Sequence, residues 1–199
     1  MNNRRGTFIL FAIFVILTGI VLLQPNVGEL LTRNNAPTAE PISPFSRVYP
    51  DLAVLEIRAI QLQSPVTNES FTMARTADGS WTSPDLDAAL DQEQASNIAQ
   101  TLVLLPYTYT TPLPENGNLE QFGFRPYGAF LILASLNDGS EHAIAIGDPL
   151  QSGPEFYACV DDSCSGDSPE VYIVQRAPID YLVNFMQNPP LAGETTATP

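Results

Sequence analysis

The stretch YGAFLILASLNDGSEHAIAIGD, Tyr127 to Asp148, decides how this chain is read. Two apolar runs flank Asn137-Asp138-Gly139-Ser140, residues that accept tight-turn backbone angles, so the segment predicts an antiparallel hairpin. Toward the C-terminus, EFYACV (Glu155 to Val160) and VYIVQR (Val171 to Arg176) read as two further strands. Pro178 suits a first helical turn, and Ile179, Leu182, Val183 and Met186 recur at helical spacing, predicting a closing helix. Toward the N-terminus, LAVLEIRAIQLQ (Leu52 to Gln63) alternates Leu55, Ile57, Ala59 and Gln61 against Glu56, Arg58, Ile60 and Leu62. SFTMART (Ser70 to Thr76) is a second strand, and DGSW turns the chain into Trp81. Asp91 and Gln94 have capping-box spacing, and Ala95, Ile98, Ala99, Leu102 and Leu105 share one helical face that Pro106 ends. Strands then a helix, twice over, predict an α+β fold: antiparallel strands with two packed helices, ordered as two divergent β-β-β-α units.

Outside this region the chain changes character. Thr7 to Leu23 carries no charge and is built mainly from Phe8, Ile9, Leu10, Phe11, Ile13, Phe14, Val15, Ile16, Leu17, Ile20, Val21, Leu22 and Leu23. At about 1.5 Å per residue the run spans roughly 25 Å, near the thickness of a bilayer core, which predicts a single transmembrane helix. No small-x-small cleavage triplet follows it, so it reads as an uncleaved anchor rather than a signal peptide. Arg4 and Arg5 precede the span and Arg33 alone follows nearby, placing the N-terminus in the cytoplasm and the rest outside it, on a single-pass cell-membrane protein. Residues 24–50 hold five prolines and read as a linker, residues 51–187 as one extracytoplasmic domain, and residues 188–199 as a disordered tail.

All eight basic residues are arginine against twenty-two acids, a formal charge of −14. Such a surface repels polyanions and excludes nucleic acid as a partner. One span is too few for a transport pathway. The expected partners are the lipid bilayer and other membrane or envelope proteins.

LEIRAIQL, DGSWTSP, LVLLP, LEQFGFRPYGAFLIL, HAIAIGD, FYACV and VYIV, in that order, resemble the domain of unknown function 4340 family over roughly residues 51–187. QFGFRP, Gln121 to Pro126, is similar to that family's glycine-hydrophobic-x-x-proline junction before a strand. The resemblance implies an extracytoplasmic domain on a membrane anchor, in some members associated with gliding-type ABC transporter components, and carries over no catalytic residue.

The chemistry in the sequence is sparse. His142, the one histidine, falls at the start of a strand in register with Ile144 and Ile146 and reads as a strand-end residue. Nucleophile elbow, phosphate loop and dinucleotide fingerprint are all absent, so neither a catalytic set nor a cofactor is expected. Asp85 and Asp87 read as helix-approach solvation, and Trp81, Tyr107, Tyr109, Tyr127, Tyr157 and Tyr172 as core aromatics rather than a ligand groove. Cys159 and Cys164 lie between two strands of a hairpin outside the cytoplasm, where they predict a disulfide staple with Asp161 and Asp162 solvated at its tip. The rival is a calcium loop, since Asp161, Ser163, Ser165, Gly166 and Asp167 fit positions of such a loop, although position 12 is Tyr172. The expected function is a non-enzymatic, membrane-tethered interaction module, an accessory subunit of a membrane or envelope complex. The alternative is a ligand- or cation-binding domain, or a hydrolase, using the acidic loops around Asp148 and Asp161.

Overall fold

The computed structural model describes residues 46–113, 117–124, 128–165 and 167–193. In chain order these form β1 (Ser46–Arg47), β2 (Ile57–Ser64), β3 (Glu69–Arg75), β4 (Trp81–Thr82), α1 (Gln92–Val103), β5 (Pro106–Pro112), β6 (Phe130–Leu136), β7 (Glu141–Pro149), β8 (Glu155–Val160), β9 (Glu170–Gln175) and α2 (Arg176–Gln187). The strands make one nine-stranded sheet in the order β1-β5-β9-β8-β7-β6-β2-β3-β4. Every described pairing is antiparallel, so the α+β architecture with two helices holds. Two meanders, β2-β3-β4 closed by α1 and β6-β7-β8-β9 closed by α2, meet where β2 pairs with β6. With β5, five strands lie between α1 and α2, so the second unit is not a β-β-β-α copy of the first.

Both helices cover one face of the sheet. The Asp91 carboxylate accepts from the amides of Glu93 and Gln94, each at 3.0 Å, which satisfies two of the amides that a helix start leaves open. The Gln94 side chain returns to the Asp91 carboxylate, so only half of a capping box forms. Ala95, Ile98, Ala99, Leu102 and Leu105 are buried, as their spacing requires. Helix α2 lies across β3 and β2 with Ile179, Leu182, Phe185 and Met186 buried. Beneath the helices sit Ile57, Ile60, Leu62, Phe71, Met73, Ile132 and Ile144. Side chains of this size each contribute about 1.5–3 kcal/mol on full burial.

Three sequence expectations need correction. Leu52 to Gln63 does not alternate in one phase: β2 shifts register against β6 between Ile57 and Ala59, and that bulge at Arg58 turns Ile57 onto the buried face with Ile60 and Leu62. The fold begins inside the stretch read as linker, because Ser46 and Arg47 pair with Tyr107 and Pro106 while Val48, Tyr49 and Leu52 are buried. The tail joins the fold as far as Ala192, whose amide bonds Ala89, while the Asp91 amide bonds Pro190 and Leu90 bridges Leu191. Pro106 ends α1 and also opens β5, a strand the sequence did not announce. Among the described residues no helix is long and apolar enough to cross a membrane. The run Thr7 to Leu23 lies outside the described residues, as do Arg125 to Tyr127 and Gly166.

The face away from the helices is covered over only part of its width. Val171 and Ile173 on β9 point there and are 0 % and 1 % exposed, yet stand outside the main core cluster. The segment Phe122 to Phe124 covers that side: Phe122 meets Tyr157 edge-to-face at 4.9 Å, and Phe124 is buried. Its approach depends on glycine. A Cβ on Gly147 would lie 2.1 Å from the Phe122 carbonyl oxygen, and one on Gly123, at φ +85°, would lie 2.3 Å from the Asp148 amide.

Candidate functional site

The β7–β8 register brings together the most polar corner of the fold. Asp161 follows β8 at φ +48°, a left-handed angle that aspartate tolerates better than most residues. Its amide donates to the Ala143 carbonyl at 2.7 Å, and its Oδ1 accepts from the Ala143 amide at 2.7 Å, so the residue extends the ladder beyond the strand end. The same Oδ1 accepts from the Tyr49 hydroxyl at 3.2 Å, and Oδ2 stands 2.9 Å from His142 Nδ1. The Tyr49 and His142 rings stack at 4.2 Å between centroids. Burial, then the neighbouring Asp161 charge, pushes the Tyr49 hydroxyl far above the ordinary phenol range.

Two clefts meet at His142. One, of about 520 Å³, opens among Tyr49, Leu52, Leu136, Asp138 and Ser140. The other, of about 400 Å³, lies on the uncovered sheet face between Ala59, Gln61, Thr72, Leu133, Ser135 and Ala143, with Glu141, Asp161 and Asp162 at one end. Register fixes its floor: Gln61 pairs with Thr72 and Leu133, Leu133 pairs with Ala143, and Ala59 pairs with Ala74 and Ser135.

His142 is at the start of its strand, as expected, but the sequence did not reveal its partner 19 residues on. Asp161 and Asp162 are both exposed, as expected, but the Asp161 carboxylate is not free at the tip: its oxygens are bonded to β7 and Tyr49. Cys159 and Cys164 form the staple, 5.5 Å apart at Cα. Of the calcium-loop residues, Asp161 is turned away, the Ser163 hydroxyl accepts from the Val160 amide, and the Ser165 hydroxyl donates to the Asp162 carbonyl. Among the described residues no group of three or more His, Cys, Asp or Glu could hold a metal ion. Asp85 accepts from the Thr72 amide at 3.0 Å and pins the turn before α1 to β3. The aromatics are scattered: Trp81 lies in the core under the Arg75 guanidinium, Tyr107 meets Tyr172 edge-on, and Tyr157 meets Phe122 on the other face. Asp148 lies against Gly123, at the opposite end of β7 from the Ala143–Asp161 contact.

Against protein-family profiles, curated proteins and solved structures, the chain has no match. The family resemblance over roughly residues 51–187 therefore rests on the quoted stretches alone.

Proposed function

We propose that this chain is a membrane-tethered, non-enzymatic interaction module, an accessory subunit of a membrane or envelope protein complex. In this reading Thr7 to Leu23 anchors it, the N-terminus is cytoplasmic, and the folded region stands outside. The observation that supports it best is the half of the sheet, on β3, β2, β6 and β7, that neither helix nor loop covers among the described residues, and that carries half-buried Leu131 and Leu133. Sheets are ordinarily covered where they carry apolar side chains, and a partly covered one offers a contact surface. A photo-reactive residue at Gln61, in the middle of that face, should cross-link a discrete partner in native membranes, while one at Gln100, exposed on α1, should not. Equal labelling at both positions, or none at Gln61, would refute the reading. Intact-mass measurement of the membrane-extracted protein tests the anchor: loss of residues 1–23 or release by a salt wash counts against it.

A second reading, a ligand-binding domain or hydrolase, draws support from the His142–Asp161 pair standing where two clefts meet. It requires His142→Gln to abolish binding or turnover of a small molecule that co-purifies with the wild type, with the fold intact.

A further inference from the structure

The helix-free side of the sheet is divided by charge as well as by cover. Over β8 and β9 it is closed by Phe122 and Phe124. Over β3, β2, β6 and β7 it is open, and there Leu133 stands across from Gln61 and Ala143, and Ser135 across from Ala59 and Glu141. The open cleft has carboxylates at one end and no arginine in its lining. Asp161 already has both oxygens engaged by three groups of its own fold, which leaves Glu141 and Asp162 to meet a ligand. Neither of these is in an ion pair: among the described residues the ion pairs are His142–Asp161 and Arg176–Asp180.

The charge of the whole chain decides what can cover this face. A second copy would bring a formal charge of −14 against −14, and a nucleic acid or an anionic lipid surface would be repelled in the same way. Between Val48 and Gln187 there are four arginines and no lysine, so the fold has almost no cation of its own to spare. Adjacent strands lie about 4.8 Å apart, so a side chain resting on Leu133 of β6 is one strand away from the Glu141 carboxylate of β7, a distance an arginine stem covers. We propose that the open β3-β2-β6-β7 face receives an extended, arginine-bearing segment of a partner protein. Its apolar side chains rest on Leu131, Leu133 and Ala59, and its guanidinium lies between Glu141 and Asp162. Arginine suits the position because its planar fork serves two carboxylates while its stem stays on apolar surface.

This inference rests on the interaction-module reading, and the experiment separates the two. The full-length, isotope-labelled chain in detergent micelles is titrated with acetyl-Leu-Thr-Leu-Thr-Arg-Thr-amide, whose leucines and arginine share one face of an extended segment, and with the same peptide bearing citrulline for arginine, a neutral near-isostere. Amide shifts should concentrate at Ala59, Leu133 and Ala143, and the citrulline peptide should bind about tenfold more weakly, the scale of two half-exposed ion pairs. Glu141→Gln/Asp162→Asn, exposed substitutions that leave the core untouched, should cost the arginine peptide a similar factor. Equal binding of the two peptides, no effect of the double substitution, shifts spread over the acidic surface, or no binding at millimolar peptide would each overturn the proposal. If the Gln61 cross-link persists in the doubly neutralised chain, the face binds a partner by other chemistry and the interaction reading survives. If that cross-link is missing from the wild type as well, both fall.

Discussion

Asp161→Ala tests whether the polar corner is a structural keystone. The substitution removes three hydrogen bonds at once: from the Ala143 amide at 2.7 Å, the Tyr49 hydroxyl at 3.2 Å and His142 Nδ1 at 2.9 Å. Bonds to a carboxylate contribute about 1.5–3 kcal/mol when enclosed, but Asp161 is solvent-exposed, so about 1 kcal/mol each is the fitting scale. Alanine at φ +48° adds about 1 kcal/mol of backbone strain, which aspartate largely avoids. The sum is a loss of about 3–4 kcal/mol for Asp161→Ala. Asparagine tolerates the same backbone angle and keeps a carbonyl oxygen for the Ala143 amide, so Asp161→Asn should lose only about 1–2 kcal/mol. Urea unfolding followed through the single tryptophan, Trp81, measures both, since Trp81 is 3 % exposed in the folded state. Asp161→Ala within about 1 kcal/mol of wild type, or Asn as damaging as Ala, would refute the reasoning.

Three further outcomes follow from the same structure. The Tyr49 hydroxyl is pushed up by burial and by Asp161, so its neutral form supports the fold: that support is complete below the usual phenol value near 10.0 and is lost at higher pH, and Tyr49→Phe should flatten the alkaline decline in melting temperature. Reducing Cys159–Cys164, or replacing both with serine, should lower stability by about 2 kcal/mol for a loop this short, read by denaturant midpoint. Gly147→Ala should destabilise by more than about 3 kcal/mol, because its Cβ would press on the Phe122 carbonyl, whereas Gly79→Ala, with open space but φ +86°, should cost about 1 kcal/mol in the same assay.

Local signals in the sequence were faithful where a local cause sets the structure. Helix α1 follows from Asp91 and a five-residue apolar face, and the β6–β7 hairpin from Asn137 to Ser140, where Gly139 takes φ +89° and Ser140 donates to Asp138. Those hydrogen bonds hold the Asp138 carboxyl below its usual range. The misses are all pairings at a distance. Strand β5, bounded by Pro106 and Pro112 and with exposed Thr108 and Tyr109, looks like a loop until β9 supplies its partner. Tyr49 was hidden by the prolines around it, since its place depends on β1 reaching β5 some 60 residues later. The His142–Asp161 contact depends on the β7–β8 register, which a single slip would abolish; the acidic residue just after EFYACV was a signal, but one that also fits a solvated turn.

The shortness of β1 bears on how the fold meets mechanical force. Tension arriving along the N-terminal residues enters the domain at a strand of two residues on the sheet's margin, held by Ser46 and Arg47 against Tyr107 and Pro106. Beyond it come the Val48 amide, bonded to the Leu105 carbonyl at 2.9 Å, and the ring of Tyr49, lodged on His142 and bonded to Asp161. Pulling therefore unpeels the margin first and reaches the polar corner second, before the central β2–β6 seam.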